Sequence, residues 1–177
     1  MLETLISSKT RLKLILKFFL NNSTTAYLRG LEEEFGESSN AIRVELNKFE
    51  EAGLLNSEAE GNKKLYKANT KHPFYKDLHN ILLKYTGLDQ IIDNVISRLG
   101  DLDKVYLVGK LSRGIESPII DLLFVGDIDR DYLVKLINKA EPLIHKKIKY
   151  VVFSQEEFKE LKKEILPKEN YLLWTKK

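Results

Sequence analysis

The sequence predicts an α+β protein built from two unlike halves, and two patterns carry that prediction. In the first 72 residues, apolar side chains recur at the spacing of one helix face, as at Leu12, Ile15, Leu16 and Phe19. In the remainder, short runs rich in β-branched residues, such as Ile119–Val125, alternate with helical stretches. The two patterns together indicate a helical first half and a mixed second half.

Composition excludes several classes of protein before any motif is considered. The chain has 177 residues, of which 43% are hydrophobic, and its 29 basic and 26 acidic residues leave a net charge of +3. It contains no cysteine, so disulfides, thiolate metal sites and cysteine nucleophiles are all excluded. His72, His79 and His145 lack the spacing of metal ligands, and we expect no bound metal.

No apolar run approaches the ~18 residues that a membrane-spanning helix requires. We therefore expect a cytoplasmic protein that does not bind membranes.

The first half contains three predicted helices, over about 8–20, 26–35 and 39–52. Gly36 and Gly53 end the second and third, because glycine enters the left-handed conformation at low cost. Two short strands, 54–58 and 65–68, follow and are joined by a Gly-Asn turn. Three helices followed by a hairpin is the order of a winged helix-turn-helix.

In that fold the third helix enters the major groove of double-stranded DNA and the wing contacts the backbone. The predicted reading face consists of Ser39, Asn40, Arg43 and Asn47. Arginine and asparagine suit bidentate contacts to guanine and adenine, and the wing residues Asn62, Lys63 and Lys64 would meet phosphates. Against this reading, Glu45, Glu50 and Glu51 lie on the same helix, and a plain solvated surface is the alternative.

The segment Ser38–Leu55 resembles the helix-to-wing segment of ArsR/MarR-type winged-helix regulators, and Gly61–Lys64 lies where their wing would be. The resemblance implies sequence-specific DNA binding.

The second half begins at Pro73, with predicted helices over 74–86 and 88–99. Strands are predicted at Val105–Val108, 119–125 and Tyr150–Phe153, and helices at 131–140 and 155–165. Tyr171–Trp174 reads as a last strand or a partner contact. The predicted domains are 1–72, a helical linker over 73–100, and 101–177.

The segment Val108–Asp129 resembles the active-site segment of minimal nucleotidyltransferases of the polymerase-beta superfamily. Segments 64–74 and 152–158 are similar to a family that joins a winged helix, a proline-initiated helix and such a domain. The resemblance implies a small α/β nucleotidyltransferase-like domain at the carboxyl terminus. Active members use a Gly-Ser turn for the triphosphate and two aspartates, one residue apart, for two Mg²⁺ ions.

The sequence departs from that pattern at the positions that would bind Mg²⁺ and the triphosphate. Asp121 matches the second aspartate, but Ile119 stands in place of the first and Lys110 in place of the serine. Lys149 or Tyr150 falls near the position of a third carboxylate. One carboxylate cannot hold two Mg²⁺ ions, so we expect no catalytic residues, only the remnants Gly109, Lys110 and Asp121, and no cofactor.

Two further readings concern single residues of this segment. Asp127 and Asp129 also have aspartate-pair spacing, but their place after Gly126 favours capping of the next helix. Gly109, Lys110 and Arg113 could bind a nucleotide or another anion as an effector without metal. The alternative is that the domain serves dimerisation and stability.

The predicted function is therefore that of a homodimeric, DNA-binding transcriptional regulator. One alternative is a Mg²⁺-dependent nucleotidyltransferase acting on protein, nucleic acid or a small molecule. Asp121 would then need a displaced partner among Glu116, Asp127 and Asp129. A protein-interaction module of the toxin–antitoxin kind is the third reading.

Overall fold

The structure is a computed structural model that describes residues 2–176. The chain divides into two compact units, residues 1–85 and residues 86–177. Helices and strands occur in both units, as the α+β prediction requires. The division between the units falls inside the predicted linker 73–100, and the three-part division stays a prediction.

The first unit is mostly helical and carries one small sheet. Its elements are α1 (Leu2–Leu5), α2 (Lys9–Phe19), β1 (Thr25–Tyr27), α3 (Leu28–Phe35), α4 (Ser39–Glu51), β2 (Leu55–Glu60), β3 (Lys63–Ala68) and α5 (Tyr75–Thr86).

The three-stranded sheet of this unit corrects one prediction. The sequence predicts a helix from residue 26, but Thr25–Tyr27 forms strand β1, and α3 begins at Leu28. Strand β1 pairs antiparallel with β3, which also pairs with β2 in the hairpin. The reason is tertiary, because residues 25–27 complete hydrogen bonds on the free edge of a strand about forty residues later.

The predicted faces of α2 and α4 form the core of the first unit. Leu16 and Phe19 of α2 and Ile42 and Leu46 of α4 are buried. Ser38 caps α4 by accepting a hydrogen bond from the backbone N–H of Ala41 at 3.2 Å. Capping satisfies a donor that the first helical turn leaves open, so the start of α4 is fixed by its own sequence.

The second unit contains a four-stranded sheet between helices. Its elements are α6 (Leu88–Asn94), a 3₁₀ turn (Ile96–Arg98), β4 (Leu102–Val108), α7 (Gly109–Ser112), β5 (Ile119–Gly126), α8 (Arg130–Ile144), β6 (Lys147–Phe153), α9 (Gln155–Ile165) and β7 (Tyr171–Thr175).

The sheet has the order β6-β5-β4-β7, with β5 and β6 parallel and the other pairs antiparallel. Both faces of β5 are buried over Leu122–Val125. On one face, Leu123 packs with Tyr106 and with Phe158 of α9, whose ring centroid lies 5.5 Å from that of Tyr106. Asp121 lies near the start of β5, two residues before Leu123, and is half-buried.

Two helices of this unit differ in length from the sequence prediction. The helix expected over 88–99 ends at Asn94, whose side-chain amide donates to the Gln90 carbonyl oxygen at 3.0 Å and competes with the helical hydrogen bonds. The helix expected over 131–140 continues to Ile144, with Pro142 inside its last turns. The last strand, β7, matches the strand reading of the tail.

Within residues 2–176, no helix is both long enough and apolar enough to cross a membrane.

Candidate functional site

A concave surface of the first unit lies between α3, α4 and the β2–β3 hairpin. It is a groove of about 740 Å³. Each of the three elements contributes polar or charged side chains to it. The lining residues are Tyr27, Leu28, Arg29, Gly30, Glu32, Glu33, Arg43, Asn47, Asn62, Lys63, Lys64 and Tyr66.

The fold brings together two groups of predicted DNA-binding residues that are distant in sequence. Arg43 and Asn47 are exposed one turn apart on α4, and Asn62, Lys63 and Lys64 reach the same groove from the hairpin. Ser39 and Asn40 lie in the first turn of α4, outside the groove lining.

Sequence reasoning missed several residues of this groove. Arg29 stands exposed in the first turn of α3, and Tyr27 and Tyr66 add aromatic surface. Glu32 and Glu33 add negative charge from α3. The sequence prediction places Tyr27 in a helix, whereas strand β1 sets it beside β3 of the hairpin.

The Glu45 carboxylate does not reach the groove. Glu45 is buried against α2, where its Oε2 accepts a hydrogen bond from Arg11 Nε at 2.7 Å. Lys48 Nζ lies 3.7 Å from its Oε1. Burial raises the pKa of the Glu45 carboxyl, but the Arg11 guanidinium and the other donors outweigh burial, and the net shift is downward.

The hairpin charges are largely paired inside the unit. Lys64 Nζ donates to Glu50 Oε2 at 2.6 Å, and this hydrogen bond raises the pKa of Lys64. Lys63 Nζ lies 5.5 Å from the centroid of the Tyr27 ring, while the Tyr27 hydroxyl donates to Glu60. Lys63 and Lys64 are both predicted phosphate contacts, but their surroundings in the structure differ.

In the second unit, Gly109 and Asp121 meet at the end of β4. Gly109 begins the short helix α7 with a φ of +73°, in the left-handed region that favours glycine. Asp121 is the register partner of Val108, and its carboxyl group lies against the Gly109 Cα. A Cβ at position 109 would overlap Oδ2 and stand 3.0 Å from Cγ.

The positions around Asp121 do not fit a pair of Mg²⁺ ions. Ile119 lies two residues earlier on β5, on the same face of the strand. Lys149 of the neighbouring strand β6 is the register partner of Asp121. Among residues 2–176, no three histidine or acidic side chains group closely enough to hold a metal ion. One carboxylate beside a lysine opposes binding of a divalent cation.

The two basic residues considered for an anion site have different surroundings. Lys110 is exposed, whereas Arg113 Nε lies 3.6 Å from Glu169 Oε2. Of the two aspartates after Gly126, Asp129 caps helix α8: its Oδ1 accepts a hydrogen bond from the backbone N–H of Tyr132 at 3.0 Å. That cap agrees with the reading of Asp129, while the anion site stays a prediction.

No protein-family model matches the sequence, and no curated protein matches it. Similar solved structures include a protein of Archaeoglobus fulgidus with 16% identity and a TM-score of 0.38, which covers 53% of this chain and 99% of its own. Another is a proposed nucleotidyltransferase of Sulfolobus solfataricus, with 22% identity and a TM-score of 0.35. It covers 54% of this chain and 83% of its own. Scores of this size do not establish a common fold, and the fused family named above stays a prediction.

Proposed function

We propose that the first unit contains a winged helix over residues 1–72 that binds double-stranded DNA, and that the protein is a transcriptional regulator. The supporting observation is the groove shared by Arg43, Asn47 and the tip of the hairpin. These groups come from two elements about twenty residues apart, and they converge on one surface.

The charges of the groove support a polyanionic partner. Four basic side chains line it (Arg29, Arg43, Lys63 and Lys64) against two acidic ones, Glu32 and Glu33, and only Lys64 of the four is paired with Glu50. Lysine and arginine release counterions from the DNA backbone, which supplies affinity that is independent of sequence. Arg43 and Asn47 supply the groups that can distinguish guanine and adenine edges.

The proposed docking sets α4 in the major groove and the hairpin tip beside the backbone. Arg29, at the start of α3, would also contact a phosphate. A homodimer would place one winged helix on each half of a pseudo-palindromic site, because a single small winged helix contacts few base pairs. The second unit would then serve dimerisation, with an effector as a further possibility.

The direct test is selection of bound sequences from a random pool of DNA duplexes at ~150 mM salt. We expect enrichment of a short palindrome. Arg43→Ala should lose the preference at the base pair that Arg43 contacts, and Arg130→Ala, at an exposed arginine of the second unit, should keep the whole palindrome. Binding without any enriched sequence, equally weakened by salt for every duplex, would contradict the proposal.

A further inference from the structure

Glu50 continues the stripe of α4 that carries the proposed reading residues. It follows Asn47 by three positions and Arg43 by seven, so all three side chains lie on the same face of the helix. A carboxylate there would repel DNA phosphates. Its presence on this stripe therefore needs an explanation other than contact with DNA.

Both oxygens of the Glu50 carboxylate are held by the hairpin. Oε2 accepts from Lys64 Nζ at 2.6 Å, and Oε1 accepts from the Ser57 hydroxyl. Ser57 lies on β2 and Lys64 on β3, so a single carboxylate from α4 bridges both strands of the hairpin.

Lys64 is held by a second contact on the same face. Its Nζ lies 5.4 Å from the centroid of the Tyr66 ring, a favourable position for a cation above an aromatic face. Hydrogen bonds from Lys64 and Ser57 lower the pKa of Glu50, so the pair is ionised at neutral pH. The Lys64 charge is thus directed at Glu50.

We propose that Glu50 is a positioning residue, which fixes the hairpin relative to α4 through Lys64 and Ser57 and thereby sets the spacing between the base-reading and phosphate-binding groups. This inference rests on the proposed DNA binding. It assigns Lys64 to the ion pair with Glu50 and leaves the neighbouring Lys63 for contact with phosphate.

Charge and position predict opposite effects for the same substitution. If Glu50 acts only through its charge, Glu50→Gln removes a repulsive carboxylate and strengthens binding to every duplex. If Glu50 positions the hairpin, the same variant binds its selected duplex less tightly, while binding to a scrambled duplex is unchanged or stronger. Glu51→Gln is the matched control, because Glu51 is an exposed neighbour on the same helix.

The experiment measures fluorescence anisotropy of the selected duplex and of a scrambled duplex of equal length, after thermal unfolding has shown that each variant is folded. We expect Glu50→Gln to lower affinity for the selected duplex about three- to fivefold, the upper part of the range of a solvent-accessible ion pair. Glu51→Gln should match the wild-type protein or bind more tightly. Equal behaviour of the two variants would overturn the positioning role.

The salt dependence of binding tests the same assignment from the hairpin side. Lys63→Gln should reduce the slope of log affinity against log salt by about 0.9, the value for one phosphate contact. Lys64→Gln should lower discrimination between the duplexes and change the slope much less, and equal slopes for both variants would overturn the assignment. The charge-exchanged variant E50K/K64E should recover part of the discrimination that each single exchange loses.

The two hypotheses fail in different ways. A wild-type protein that does not discriminate the duplexes overturns the proposed function and this inference with it. A wild-type protein that discriminates, with Glu50→Gln equal to Glu51→Gln, overturns the inference alone.

Discussion

The Asp121 carboxyl group lies against the Cα of Gly109, so the end of β4 has no room for a side chain at position 109. This contact joins two residues of the segment that resembles a nucleotidyltransferase site. It is a packing relationship that stands whether or not the segment retains any chemistry.

Gly109→Ala should destabilise the second unit by about 2–4 kcal/mol, because it adds a left-handed non-glycine residue and a clash with Asp121. Chemical denaturation measures the free energy of unfolding. Gly100→Ala is the matched control, since no atom lies within 4 Å of a Cβ at position 100.

A double-mutant cycle separates the two causes at position 109. Asp121→Ala removes the carboxyl group, so Gly109→Ala should cost less in that background than in the wild-type protein. Additive effects would show that the clash with Asp121 contributes nothing.

Arg11→Ala should destabilise the first unit most at neutral pH. Arg11 neutralises the buried Glu45 carboxylate, and we expect a loss of about 1–2 kcal/mol at pH 7, reduced because the Arg11 side chain is 38% exposed. Arg29→Ala, at an exposed arginine of this unit, is the control.

The sign of the pH dependence follows from the pKa of Glu45. In the wild-type protein that pKa is lowered from 4.5, so the stabilisation is complete above that pH and is lost as the pH falls through the lowered value. Without Arg11, burial favours the protonated carboxyl, and the variant loses less relative to wild type in acid. A difference in unfolding free energy that is constant between pH 7 and pH 4 would contradict this account.

Arg43→Ala and Asn47→Ala should relax specificity at different but nearby base pairs. The two residues lie one turn apart, about 6 Å along the helix axis, against about 3.4 Å between successive base pairs. Each loss should be about 1–3 kcal/mol at one position of the site if the residue contacts a base edge. The measurement is binding to a panel of duplexes with single base changes.

The same panel of duplexes tests whether Arg43 contacts a base or a phosphate. Lys48→Ala, an exposed position on the same helix outside the groove lining, is the control and should preserve the base preferences. Uniform weakening by Arg43→Ala across all duplexes would make Arg43 a phosphate contact.

Mg²⁺ should not promote nucleotide binding or turnover by the second unit. Ile119 and Lys149 occupy the neighbourhood in which further carboxylates would be needed beside Asp121. We expect no thermal shift that depends on Mg²⁺ with ATP or GTP, and identical behaviour of Asp121→Asn. Mg²⁺-dependent turnover that is abolished by Asp121→Asn would instead support the nucleotidyltransferase alternative.

Several elements of the fold follow from signals that are local in the sequence. The apolar face of α2, the Ser38 cap of α4, and the cap of α8 by Asp129 each depend on residues within about two turns of one another. Periodicity and capping are local properties, so they can be read without knowing the fold.

The contacts between residues far apart in the chain depend on the tertiary fold. Strand β1 forms because Thr25–Tyr27 pairs with β3, and Glu50 reaches Lys64 because the hairpin folds back on α4. Lys149 stands beside Asp121 through the register of two parallel strands. Such contacts depend on strand pairing and on packing of side chains far apart in the chain, which no local pattern specifies. The groove and the surroundings of Asp121 are therefore properties of the folded chain.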